Sequence, residues 1–517
     1  MLALTLPFLC SYAADAPSVT LDYGTFEGVD DSTTGITSFL GIRYADAPTG
    51  DNRWRAAVSP PSEDLGTVDA TDFADICASI GQTGDGTSED CLFGNVFVPS
   101  GTTGDDSLPV VVWFHGGGFQ SGGTPDFDPV LLMNSSAKPM IFTSFAYRLG
   151  PFGFLGGSRL KEDGQLNIGI QDQAPKFGGD PDRVAIWGQS GGAGSTMFHL
   201  LANGGDNEGL FHAAMGDSPS LSVTPDFDSD EVESIFNQFA SNANCGTNED
   251  DDVLDCLRAT DLDDLADAWD ALVDNRTSTL FNFAPIRDGD FIAVRPVEGF
   301  ASGKFAQVPV LYGSNSDEGA GWSSRLDNPA ANTAESNATE TTVFNFLRGQ
   351  WNGLARDSFD NAVDLYPLDD FDDSFDLQGQ QMYGEVRYIC TAGLITMSAT
   401  AAGLSAYQYH YDNSHLGSGH GSELAAMFPA NTPDDADDDD LALFEAMREF
   451  VTSFITTGTP TSDSADVEWD AVTDTSNDGS PRILFSPDGI KMEKISDELN
   501  EHCVFWHSDT LADEMET

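Results

Sequence analysis

The sequence predicts an α/β protein built on one large, mostly parallel sheet. Residues 109–114 are a continuous apolar run, the pattern of a strand buried on both faces, and 141–147 and 184–187 read as further short strands. The third leads directly into Gly188-Gln189-Ser190-Gly191-Gly192. Such a Gly-x-Ser-x-Gly bend between strand and helix can lift a serine hydroxyl out of a sheet. Side chains suited to work with that serine follow other predicted strands: Asp317 and Glu318 after one, His415 and His420 after the next. Open α/β sheets place their sites at that edge.

Composition bounds the rest. At 517 residues and 40% hydrophobic content, the chain can bury a sizeable core. Basic residues number 22 against 85 acidic ones, a net charge of −63, which excludes nucleic acid as a partner. Self-repulsion of that size keeps a protein soluble and destabilises it at low salt. It fits secretion into acidic surroundings or adaptation to high salt. Residues 1–14 are apolar and end in Ser11-Tyr12-Ala13-Ala14, the pattern of a secretory signal, although the first basic residue is Arg43. Residues 15–517 are then expected to form a single domain, and no later run is long enough to span a bilayer. The tail, 511–517, is acidic and unlike a lipid-anchor signal. Of seven cysteines, Cys10 falls in the signal, and the other six suit three bridges in an oxidising compartment. Asn134, Asn275 and Asn337 head glycosylation sequons.

In chain order, residues 19–28 and 33–44 read as an opening antiparallel hairpin. Cys77 and Cys91 bracket a short polar loop before a strand at 95–99. The strand at 109–114 ends in His115-Gly116-Gly117-Gly118-Phe119. Residues 141–147 and 184–187 read as parallel neighbours, which require a crossover, usually a helix. Nothing within 148–183 has a convincing helical period. Helices are expected at 193–203, 231–240 and 264–272, and a strand at 308–312 before Asp317-Glu318-Gly319. Further helices are expected at 342–353, 358–365 and 379–402, then a strand at 406–411 and a loop holding His415 and His420. The acidic run 434–440 reads as a solvated surface loop, with a calcium site as the lesser alternative. A helix at 441–457 and strands at 482–485 and 489–495 close the chain, and there are no internal repeats.

The chemistry these residues suggest is acyl transfer through a covalent serine intermediate, on a small-molecule ester and without cofactor or metal. Gly-x-Ser-x-Gly alone is weak in a chain with 52 glycines. Gly116-Gly117-Gly118 after a strand can offer successive N–H groups to a developing oxyanion. Spacing alone does not separate His420 from His415, and Asp317 adjoins Glu318.

A wider set of motifs narrows this. Glu89-Asp90-Cys91-Leu92, the segments 115–119 and 147–154, Phe177-Gly178-Gly179-Asp180-Pro181, the serine bend, Asp317-Glu318-Gly319 and His420-Gly421-Ser422-Glu423 occur in one order. Together, from about residue 21 to 507, they resemble the type-B carboxylesterase/lipase family, which includes cholinesterases, carboxylesterases and fungal lipases. The resemblance implies an α/β-hydrolase fold with Ser190 as nucleophile, His420 as base and Glu318 as triad acid. It implies oxyanion donors at Gly117, Gly118 and Gly191. It also implies disulfides Cys77–Cys91, Cys245–Cys256 and Cys390–Cys503, and ion pairs Arg53–Glu89 and Arg148–Asp172.

The sequence departs from the family in four places. Only Ala174-Pro175-Lys176 stands between Gln173 and Phe177, where relatives place a helix, so the crossover helix before the serine strand is missing. Either loop replaces that helix or a coding segment has been lost, and the second reading is preferred. Gly191 replaces the family's usual Ala, which predicts a looser elbow and slower acylation. Gln189 replaces a common Glu, which predicts an altered pH profile. The loop 78–90 is short and polar with no aromatic residue. A lipase lid needs an apolar face, and a choline site normally carries a Trp there. The expectation is a secreted serine carboxylesterase for soluble or short-chain esters. The alternatives are a non-catalytic interaction protein of the same fold, or a lipase for longer acyl chains.

Overall fold

The computed structural model describes residues 16–517 apart from 83, 85, 165, 173–179 and 474–478. The expected signal and the short crossover stretch 173–177 lie outside the described residues. The central sheet has eleven strands. They are β1 (Val29–Asp31), β2 (Ile36–Arg43), β3 (Phe93–Pro99), β4 (Val110–Phe114), β5 (Ile141–Phe145), β6 (Val184–Gly188), β7 (Ala213–Asp217), β8 (Val310–Asn315), β9 (Ala406–Tyr411), β10 (Pro481–Phe485) and β11 (Lys491–Lys494). Their spatial order is β11-β10-β9-β8-β7-β6-β4-β5-β3-β2-β1. Every pairing from β10 across to β5 is parallel, and the outer strands on both sides are antiparallel. This is the expected mostly parallel sheet.

Two sequence readings of strand pairing need correction. The runs at 141–147 and 184–187 are not direct neighbours, because β4 lies between β5 and β6, with Val110 opposite both Ile141 and Val184. The chain therefore leaves β4 toward β5 and β6 toward β7 in opposite directions, and such a reversal of strand order marks the usual ligand position in open sheets. The opening segment makes two hairpins where one was expected. Ser18–Leu21 pairs with Gly24–Glu27, and β1 pairs with β2.

Both sheet faces are covered. On one, Trp113 and Trp187 meet at 4.6 Å between ring centroids and pack on Phe428. The other receives helix α1 (Gly191–Leu201), every residue of which is buried. Between β5 and β6 the described residues form only short helices, Gly150–Phe154, Ser158–Glu162 and Ile168–Gln171. Arg148 and Asp172 are nevertheless paired at 2.7 Å, fully buried, and Arg53 pairs with Glu89 as expected. A cavity of about 880 Å³ borders Val110, Val112, Val184 and Ile186 on the α1 face of the sheet.

Further along, α2 (Phe375–Gly384) and α3 (Cys390–Ala401) are joined by one π-helical turn, Glu385–Ile389. Helix α4 (Asp438–Thr457) begins inside the acidic run, which is therefore not a solvated loop throughout. Asp437 caps α4, accepting from the N–H groups of Asp439 and Asp440, and Asp440 reaches back to the Asp437 N–H. Carboxylates suit that end of a helix because its first N–H groups lack partners and carry partial positive charge. Asp440 is fully buried and accepts from Asn413 Nδ2. His415, Asp437 and Asp440 bring ligand atoms together where calcium was weighed, but this capping already uses both carboxylates. All three expected disulfides are formed: Cys77–Cys91, Cys245–Cys256 and Cys390–Cys503.

Candidate active site

Ser190 lies two residues beyond β6, before α1, in a conformation that L residues rarely adopt, φ 57° and ψ −119°. The surrounding sequence makes room for it. A Cβ at Gly192 would lie 2.0 Å from the Phe114 carbonyl oxygen, and one at Gly188 would lie 2.5 Å from the Gly192 carbonyl carbon. Both glycines therefore allow the bend to close against the end of β4. The Ser190 N–H donates to the Asp217 carbonyl at 2.9 Å, which ties the elbow to β7. Strain held by such surroundings is a common mark of a working site.

The loop after β4 supplies the second wall. Gly117 and Gly118 have φ of 106° and 60°. A Cβ on Gly117 would fall 2.0 Å from the Ser121 carbonyl oxygen, so glycine is required there. His115 is buried, stacks on Tyr147 at 4.3 Å and receives the Tyr147 hydroxyl on its carbonyl at 2.7 Å. Burial pushes the His115 imidazole down to about 4, so it is a neutral support for the loop. The Gly191 position lies close to the loop: a Cβ there would be 3.0 Å from the Gly118 nitrogen. The missing methyl thus lets the loop approach α1.

Glu318 follows β8 and is fully buried, whereas Asp317 beside it is exposed. Glu318 Oε2 lies 2.5 Å from His420 Nδ1. Its Oε1 accepts from Ser218 Oγ at 2.5 Å and from the Asn315 N–H at 2.7 Å. A carboxylate so supplied with donors can hold an imidazole in one tautomer and offset the charge of an imidazolium. His415 is bound to Asp440 instead, at 2.6 Å, so the structure separates the two histidines that spacing did not. His420 is packed by Tyr388 and Trp322, with ring centroids at 4.2 and 5.4 Å. Its Nε2 faces Gln189 Nε2 at 3.4 Å and is not hydrogen-bonded to Ser190.

A buried acidic group lies behind Glu318 that the sequence did not point to. Asp217 accepts from Trp187 Nε1 at 2.7 Å and from the Tyr409 hydroxyl at 2.8 Å. Burial still pushes its carboxyl up to about 7. Glu423 is raised well above the ordinary range by burial and by the nearby charges of Asp217 and Glu318. Asn315 joins this group to the site, because its side-chain amide donates to Glu423 and to the Gly419 carbonyl beside His420. Glu423 was within reach of the sequence, since it ends the quoted His-Gly-Ser-Glu motif. Asp217, the last residue of β7, and Ser218 after it carry only the weaker signal of the end of a buried strand.

The arrangement can activate a hydroxyl, orient its base and offer N–H groups to an oxyanion. Comparison with known proteins gives the family. The model of the "Carboxylesterase family" matches residues 15–506. Lipase 2 of Geotrichum candidum is 33% identical over 392 residues, covering 64% of this chain and 67% of that one. Lipase 4 of Diutina rugosa is 35% identical over 367 residues, covering 62% of this chain and 65% of that one. The matches thus span about two thirds of these relatives. The crystal structure of Aspergillus niger EstA superposes with a TM-score of 0.84 at 26% identity, covering 97% of this chain and 99% of that one. The chain belongs to the carboxylesterase family: it is a carboxylic ester hydrolase with the α/β-hydrolase fold.

Proposed function

We propose that the protein is a secreted serine esterase for soluble or short-chain esters. Ser190 attacks the ester carbonyl, and His420 takes its proton and returns it to the leaving alcohol. Glu318 holds His420 by Nδ1. Gly117, Gly118 and Gly191 donate backbone N–H groups to the oxyanion. Water activated by His420 then releases the acyl group. The observation that carries this reading is the 2.5 Å contact of Glu318 with His420 beside a serine held on a strained elbow. A fluorophosphonate probe tests it: peptide mass spectrometry should place the adduct on Ser190, and Ser190→Ala should abolish labelling. Folded protein that does not label would reject the triad.

The preference for soluble esters rests on the polar loop 78–90, which offers no apolar face to a lipid surface. A jump in rate as a triglyceride passes its solubility limit would overturn it. Secretion is supported by three disulfides, the apolar first 14 residues, and the exposure of Asn134, Asn275 and Asn337 to glycosylation. No helix among the described residues is long and apolar enough to cross a membrane.

A further inference from the structure

Arg387 is a buried cation with no counter-charge. It lies on the turn Glu385–Ile389 and is 3% exposed. Among the described residues no carboxylate pairs with it. Among the described residues its guanidinium makes one hydrogen bond, to Ser222 Oγ at 3.2 Å, and its Nε is buried without an acceptor. Buried Arg53 and Arg148 each grip a carboxylate with two nitrogens. Buried Arg448 also pairs with no carboxylate among the described residues, but its fork is used by Ser135 Oγ and the Ala426 carbonyl, whereas Arg387 keeps an orphaned Nε. A guanidinium keeps its charge at any working pH, and burying that charge unpaired is costly.

Its surroundings are the walls of the site. Arg387 lies over the Phe281 ring at 4.8 Å and near Tyr388 at 6.0 Å. The Phe281 ring touches the Gly118 position, where a Cβ would fall 2.1 Å from it, and Tyr388 packs on His420. One aromatic ring therefore separates the guanidinium from the oxyanion loop. Ser220 Oγ, 1% exposed, is a second buried polar atom without a partner. It belongs to the segment that binds the Arg387 turn, where the Leu221 N–H donates to the Arg387 carbonyl at 2.8 Å. Ser220 also faces α1, its carbonyl oxygen 3.1 Å from where a Gly194 Cβ would be. A wall meant only for hydrocarbon would need neither orphan.

We propose that Arg387 binds a carboxylate on the acyl part of the substrate, so that the preferred substrates are half-esters of short dicarboxylic acids. This rests on Ser190 being the nucleophile. A carboxylate held a few bonds from the scissile carbonyl supplies the missing charge and can accept from Nε and a terminal nitrogen of the fork together.

The test compares monoethyl glutarate with ethyl pentanoate, both with five-carbon acyl chains, by acid release at one fixed ionic strength. Fixed salt matters because the net charge of −63 repels anions at long range. The wild type should favour the half-ester. Arg387→Gln should lower the half-ester to neutral-ester ratio of kcat/KM by about tenfold or more, mostly through KM, and Arg387→Lys should restore part of it. A wild type that favours ethyl pentanoate, or a ratio unchanged in Arg387→Gln, overturns the proposal. Should the variant not fold, glutarate must inhibit wild-type cleavage of ethyl pentanoate competitively while uncharged glutaramide does not. Equal or absent inhibition overturns it too. Fluorophosphonate labelling of Ser190 in the same samples separates a wrong substrate class from a wrong nucleophile.

Discussion

Gln189 Nε2 stands 3.4 Å from His420 Nε2, the nitrogen through which His420 would take the Ser190 proton. Because Nδ1 is bound to Glu318, a neutral His420 ring presents a lone pair at Nε2. The Gln189 amide can donate to that lone pair and so compete with the serine hydroxyl. Gln189→Ala should therefore raise the rate constant for fluorophosphonate labelling, by about two- to fivefold, a fraction of what acid–base assistance contributes. Gln189→Glu places an anion beside the same nitrogen and favours the charged ring. The acid limb of the pH–kcat/KM profile should then move up by about one unit. A profile that does not move would mean that residue 189 does not face the base in solution.

Ser218 is the second prediction. Its hydroxyl gives one of the two hydrogen bonds on Glu318 Oε1, the other coming from the Asn315 N–H. Ser218→Ala would leave a fully buried carboxylate short of a donor, at a cost of about 1–3 kcal/mol. Part of that cost falls on stability and part on the hold over His420. The expected result is a kcat lowered about tenfold with little change in KM, and a lower Tm, read from esterase kinetics and calorimetry. A change in KM alone would place Ser218 in substrate binding instead.

These two residues show what the sequence made legible and what it did not. The serine elbow was readable because it demands glycine at fixed spacing, as Gly188 and Gly192 demonstrate by their closeness to β4 and to each other. Strand ends narrowed the acid to Asp317 or Glu318 and the base to His415 or His420, and only the motifs Asp317-Glu318-Gly319 and His420-Gly421-Ser422-Glu423 chose between them. Tyr388 was not readable, since it meets His420 from another segment, and although Asn315 and Trp322 lie within four residues of Glu318, their contacts with Glu423 and His420 join segments far apart in the chain. Strand order escaped as well. The apolar run of β4 says that it is buried on both faces and nothing about which strands flank it. The acidic run misled because charge normally means solvent, whereas Asp440 has Asn413, His415 and a helix N-terminus to pair with.

Asp217 gives a pH prediction. Burial raises its carboxyl to about 7 against an ordinary value near 4, despite the hydrogen bonds from Tyr409 and Trp187. Between those values the folded protein holds a proton that the unfolded chain has released. The contribution of Asp217 to stability is thus complete below about pH 4 and is lost as the pH rises to about 7, by about 1.4 kcal/mol per unit at most. Asp217→Asn stays neutral throughout and removes this loss. Relative to wild type, its Tm should gain as the pH is raised from 4.5 to 7.5. A constant difference between the two proteins would show that Asp217 ionises in the fold at ordinary pH.

The disulfide Cys390–Cys503 closes the longest loop, 113 residues, and begins immediately after the turn carrying Tyr388. Replacing both cysteines by alanine should cost about 4–5 kcal/mol by loop entropy, the upper end for a single bridge. The loss should be visible as a lower denaturation midpoint. Activity should fall at lower denaturant than the loss of secondary structure, because Tyr388 packs on His420. Coincident loss of both would show that the bridge acts on the whole fold alone.

The net charge of −63 gives the last prediction. With 22 basic residues against 85 acidic ones, most carboxylates have no cationic partner and repel one another. Screening shortens that repulsion from about 10 Å at 0.1 M salt to about 3 Å at 1 M. Tm should therefore rise between low and molar sodium chloride. Sucrose, which adds no ions, should not reproduce the steep rise at low concentration. Acid adaptation makes a different demand. Protonating carboxylates lowers the charge without salt, so an acid-adapted protein would reach its highest Tm at low pH and gain little from salt there. A Tm that falls with salt at neutral pH would show that the acidic surface is held apart by solvent well enough to need no screening. The charge would then serve solubility and not stability.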